Sequence, residues 1–133
     1  MFLVLPATPD ERIADIARIA ARGPRSFIYC VSHSGVTGVR AALPPDLQSF
    51  VQRVRRPTRE YRLPLAVGFG LSTPKDIAEV TSYADGAVVG SALVDLIDRH
   101  LEREQVGAVK RYIQSLCRAR SPRTVETTRP LNI

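Results

Sequence analysis

At 133 residues, with 44% hydrophobic and 24% charged side chains, the chain suits one globular core rather than a disordered or fibrous protein. Its net charge of +6 raises nucleic acid as a partner. The basic residues, Arg53 to Arg62 and Lys110 to Arg123, follow helix faces and linkers without interleaved aromatics or a recognition motif, so a solvated surface is expected instead.

No apolar run approaches the ~20 residues of a membrane span, and the opening MFLVLP is too short for a signal-peptide core. Cys30 and Cys117 have no metal-ligand spacing. Reduced, buried thiols in a cytoplasmic protein are expected, with no nucleic acid, membrane, metal or cofactor.

One unit repeats along the chain: a short apolar run, a Gly/Ser/Thr/Pro turn, then an amphipathic stretch. The first run is Phe2–Leu5, followed by a helix over Glu11–Ala21. Thr8 and Glu11 have the spacing of a capping box, with Pro9 at the first helical position. Ile13, Ile16, Ala17 and Ala20 form one apolar stripe. The second run, Phe27–Val31, is aromatic and β-branched. After the turn SHSGVTGVRAALPP comes a helix over Asp46–Arg55.

The third strand, Leu65–Val67, leads through GFGLST into a helix over Pro74–Ala84, where Thr73 and Asp76 repeat the capping spacing. The fourth strand is Gly86–Val89, closed by Gly90 and Ser91. A short helix Ala92–Asp98 and a longer one, Val106–Arg120, follow it. Residues 1–120 form the domain, and 121–133 lose periodicity and are expected to be a poorly ordered tail.

Apolar strands alternating with helices imply a parallel sheet covered by helices. The periodicity fits either a small open doubly wound sheet or part of a (β/α)8 barrel. Both collect ligands at the carboxyl ends of their strands. Here those ends carry Gly35 and Gly38, then Gly68 and Gly70, then Gly90. Backbone N–H groups freed from a Cβ, next to a helix start, make a cup that favours an anion, phosphate above all. A single glycine turn is often only a bend. Consecutive Gly-x-Gly and Gly-Ser turns, the second opening a short helix, are more specific.

The stretches FLVLPATPDERI, FIYCVSHSGVTGVR and LPLAVGFGLSTPKDIAEVTSYADGAVVGSALVDLI resemble the tryptophan synthase alpha chain from about Phe2 to Ile97, more weakly through residue 120. The resemblance implies an α/β fold that is a partial (β/α)8 TIM barrel of four consecutive parallel βα units. It also implies a lyase family that cleaves indole-3-glycerol phosphate to indole and glyceraldehyde 3-phosphate, with a pyridoxal-phosphate beta chain as partner. By position, Gly38, Gly70, Gly90 and Ser91 match the family's phosphate-binding residues. Tyr29, Phe69 and Val88 match residues lining the indole pocket, and Thr37 matches the loop residue that closes over it. His33, in the same loop, is read as solvent-exposed.

The resemblance covers strands five to eight only. The family's catalytic glutamate and aspartate belong to the first two strands, so no catalytic residue is assigned here. Asp10, Glu11, Asp46 and Asp76 are expected at helix starts as caps. Asp85 precedes the last strand, and Asp95 and Asp98 lie along a helix. Three readings follow: an alpha chain in partial form and inactive alone, a non-catalytic phosphate-binding half barrel that dimerises or pairs with a complementary half, or another phosphate-handling barrel enzyme. Two open sheet edges make self-association the expectation.

Overall fold

The computed structural model describes residues 1–23, 26–31, 43–68 and 70–120. Four strands, β1 (Phe2–Val4), β2 (Ile28–Val31), β3 (Leu65–Gly68) and β4 (Gly86–Val88), lie side by side in chain order. All pairs are parallel: Phe2 stands opposite Ile28, Ile28 opposite Leu65, and Ala66 opposite Gly86. Sequential order separates a barrel segment from a doubly wound sheet, whose strand order reverses. The helices are α1 (Asp10–Ala20), α2 (Leu47–Thr58), α3 (Pro74–Tyr83), α4 (Ser91–Asp98) and α5 (Glu102–Ala119).

In a strand, successive side chains point to opposite faces. Val4, Ile28, Cys30, Leu65 and Val67 therefore share one face, and all are buried. Against them pack Ile13, Ala17 and Ala20 of α1, Leu47, Phe50, Val51 and Val54 of α2, and Ile77 and Val80 of α3. Leu116 of α5 joins the same core. Leu3, Leu5 and Val88 point to the other face and are exposed by 50%, 40% and 39%. Among the described residues, the helices thus cover one face of the sheet and leave the other open.

Two helices extend beyond their apolar stripes. α2 continues through Pro57, which brings no N–H for the preceding turn. The hydroxyl of Thr58 shores up that turn, donating to the carbonyls of Val54 at 3.0 Å and Arg55 at 3.2 Å. α5 starts at Glu102, where the polar Glu-Arg-Glu-Gln run gives no periodic signal but consists of good helix formers.

Three local expectations are corrected. The Thr8–Glu11 box does not form: the Thr8 hydroxyl accepts the Leu5 N–H at 3.0 Å, and Pro9 takes the cap position with no side-chain cap. Asp46 sits at the start of α2 without a side-chain cap bond, because its backbone is already helical there. Cys30 is buried as expected, but Cys117 is exposed on α5. At α3 the expected box is complete, with Asp76 N donating to Thr73 Oγ1 and Thr73 N donating to Asp76 Oδ2.

Candidate functional site

Gly70 follows β3 with φ 77°, the left-handed region where an L side chain is strained, so this turn requires glycine for its backbone alone. Leu71 anchors the turn in the core at 2% exposure. Ser72 N and Thr73 N both donate to Asp76 Oδ2, at 2.9 and 2.8 Å. From the far end of the chain, Tyr112 of α5 donates its hydroxyl to the Ser72 carbonyl at 2.8 Å. Nothing in the spacing of these residues announces that last contact.

One strand over, Gly90 caps α4 and Ser91 is its first residue. A Cβ built on Gly90 would meet nothing within 4 Å. Among the described residues no neighbour demands a glycine there, and the missing side chain leaves open space at the helix start. β3 and β4 are neighbours, so Gly70 and Gly90 stand at adjacent carboxyl ends.

Gly68 has a different cause. A Cβ there would lie 2.6 Å from Cε2 of Tyr29, so the ring occupies the space a side chain would need. The expectation that Gly68 is bare for a ligand is thereby revised: it is bare for Tyr29. Tyr29 and Val88 both face the open side of the sheet, through the register Tyr29–Ala66 and Gly68–Val88. Burial pushes the Tyr29 phenol above its ordinary pKa. Thr37, Gly38, Phe69 and His33 lie outside the described residues.

Two of the acidic side chains are paired with arginines. Asp10 pairs with Arg53 at 3.4 Å, and Asp85 pairs with Arg55 at 2.6 Å while accepting the Leu65 N–H at 2.8 Å. Among the described residues no group of three His, Cys, Asp or Glu could hold a metal, and no helix is long and apolar enough to cross a membrane. A cavity of about 350 Å³ lies between α3, β4 and α5, lined by Ile77, Ala87, Val89, Ile113 and Leu116. It is on the helix side of the sheet and apart from the glycine turns.

The family profile for the tryptophan synthase alpha chain matches residues 1–121. The alpha chain of Dehalococcoides mccartyi is 45% identical over 114 residues, 86% of this chain and 42% of that protein. That of Geobacillus thermodenitrificans is 50% identical over 103 residues, 77% of this chain and 35% of the relative. The chain thus spans less than half the length of these relatives. Among solved structures, Mycobacterium tuberculosis tryptophan synthase superimposes with TM-score 0.69 at 30% identity, covering 90% of this chain and 40% of that one. A Pyrococcus furiosus structure, described as the tryptophan synthase α2β2 complex, gives 0.67 at 32% identity, covering 87% and 42%.

Proposed function

The chain belongs to the tryptophan synthase alpha chain family, a family of TIM-barrel proteins, and from that premise we propose that it carries the phosphate- and indole-binding half of a site for indole-3-glycerol phosphate. Gly38, Gly70, Gly90 and Ser91 hold the phosphate. Tyr29, Phe69 and Val88 wall the indole, and Thr37 closes over it. The observation that carries this reading is the pairing of a left-handed Gly70 with the unfilled space at Gly90, on neighbouring strand ends at the start of α4.

The helix dipole contributes roughly 0.3–1 kcal/mol at an exposed end and does not hold a phosphate alone. Directed N–H bonds to a charged oxygen, about 1.5–3 kcal/mol each, supply the rest. Cleavage to indole and glyceraldehyde 3-phosphate needs proton transfer by carboxyl groups within hydrogen-bond reach of substrate. Asp10 and Asp85 are engaged by arginines and Asp76 by a cap, and the family's catalytic carboxylates belong to strands outside the matched half, so on this reading the isolated chain binds without turning over. The beta chain is the proposed partner, supported by the α2β2 assembly of the Pyrococcus furiosus relative. The pyridoxal phosphate belongs to that partner, and the setting is the cytoplasm.

A second reading, a non-catalytic phosphate-binding half barrel that dimerises, draws on the face that is open among the described residues around Leu3, Leu5 and Val88, and on β1 and β4, which end the described sheet.

Titration with glycerol phosphate, followed by amide chemical shifts, tests the site. Shifts centred on Gly70, Gly90 and Ser91, abolished by Gly90→Val, support it. Saturating ligand that moves none of those amides in a folded sample overturns it. Turnover of indole-3-glycerol phosphate by the chain alone would overturn the assignment of no catalytic carboxylate.

A further inference from the structure

We propose that the Tyr112 hydroxyl is a positioning group for the anion-binding turn after β3, a role that rests on the phosphate reading above. The turn from Gly70 to Thr73 is short, and its only deeply buried side chain is Leu71. Its shape is therefore set by what binds its backbone. Ser72 is held on both sides: its N–H donates to Asp76 Oδ2 at 2.9 Å, and its carbonyl accepts the Tyr112 hydroxyl at 2.8 Å. Two fixed polar groups on one residue, two positions after Gly70, restrict how far the Gly70 and Leu71 peptide planes can rotate. Those are the planes whose N–H groups would face the anion.

α5 is placed to do this for both walls of the cup. It packs against α3 and also against α4, whose first residue is Ser91. Gln105 of α5 donates to the carbonyls of Ile97 and His100, each at 3.2 Å, gripping the far end of α4. The Tyr112 ring packs against the core beneath the turn. Burial, with the Asp76 carboxylate nearby, raises its pKa, so the hydroxyl keeps its proton at neutral pH and remains a donor. The ring supplies packing that phenylalanine would also supply. Only the hydroxyl reaches Ser72.

The variant that isolates the hydroxyl is Tyr112→Phe. The full chain and this variant are titrated with inorganic phosphate and with glycerol phosphate, and both are melted. We expect affinity for both ligands to fall about three- to tenfold, as loss of one hydrogen bond supporting the site would produce. The melting midpoint should fall by only a few degrees, and amide shift changes in the free protein should be confined to Gly70–Thr73 and the residues flanking Tyr112. Ser115→Ala removes a hydroxyl from the same helix that bonds only within it, to the Tyr112 carbonyl, and should leave affinity unchanged.

Equal affinity in the wild type and Tyr112→Phe overturns the proposal while leaving the phosphate site intact. So do amide changes spread across the sheet, which would mark general loosening. A wild-type chain that binds neither ligand sinks the phosphate reading and this role together.

Discussion

The ring of Tyr29 lies across the Cα of Gly68. A Cβ built on Gly68 would sit 2.6 Å from Cε2 and 2.8 Å from Cζ of that ring, with the hydroxyl oxygen nearer still. Gly68→Ala therefore forces ring or strand to move, an overpacking cost of about 1–3 kcal/mol. In a Tyr29→Ala background the same substitution should cost far less. Urea denaturation of the four proteins measures the coupling between the two sites. Additive effects would show that the strain at Gly68 comes from elsewhere.

The pair Arg55–Asp85 ties the end of α2 to the entry of β4. Asp85 Oδ2 also accepts the Leu65 N–H, which extends the β3–β4 ladder by one side chain. Asp85→Ala strands a partly buried guanidinium whose Nη2 is already buried with no hydrogen-bond partner among the described residues. The side chains keep 27% and 31% of their exposure, so the loss should be about 1–2 kcal/mol rather than the larger value of a fully buried pair. Arg55→Met should cost less, because it removes the unsatisfied Nη2 as well. Chemical denaturation checks the order, and a larger loss in Arg55→Met than in Asp85→Ala would contradict it.

Strand positions were legible in the sequence because Phe2–Leu5, Phe27–Val31, Leu65–Val67 and Gly86–Val89 are bounded by strong turn signals, whereas their sequential order followed only from the family resemblance. Helix ends were less so. The Glu102–Gln105 turn has no apolar residue to mark it, and Thr8, spaced like Thr73, spends its hydroxyl on Leu5 instead of capping. Gly70 and Gly90 could be singled out because turn glycines at strand ends are a local pattern. Tyr29 over Gly68 and Tyr112 on Ser72 could not be. Each joins residues tens of positions apart, and only the folded sheet and α5 bring them together.

The two thiols should behave differently. Cys30 is fully buried beneath the helices, and burial pushes its pKa from 9.0 up to about 12, while Cys117 is exposed. Iodoacetamide on the native chain should label Cys117 alone, read by peptide mass spectrometry, and label Cys30 only in denaturant. The same shift bears on alkaline stability. A thiol whose folded pKa is raised binds its proton more tightly folded than unfolded, so its contribution is intact below pH 9 and is lost as pH climbs toward 12. Cys30→Ala should flatten that decline. Rapid native labelling of Cys30 would show that the core around β2 opens.

The open face should make the isolated chain self-associate. Leu3 and Leu5 near one edge and Val88 at the other point away from the helices and are 50%, 40% and 39% exposed. Tyr29, Val31 and Ala66 line the strands between them, each only partly buried. Among the described residues, β1 and β4 each pair with a strand on one side only. Isolated monomers rarely expose a contiguous apolar patch of this kind, and free edges recruit further strands. The chain alone should therefore sediment as a dimer or larger species at micromolar concentration. Replacing Leu3 and Val88 by lysine should shift it toward monomer by charging both ends of the face. The helix-side core, to which neither residue contributes, should survive, with helical circular dichroism retained. A wild-type chain that sediments as a monomer at every concentration, still fully folded, would mean that the described open face is covered by the chain itself.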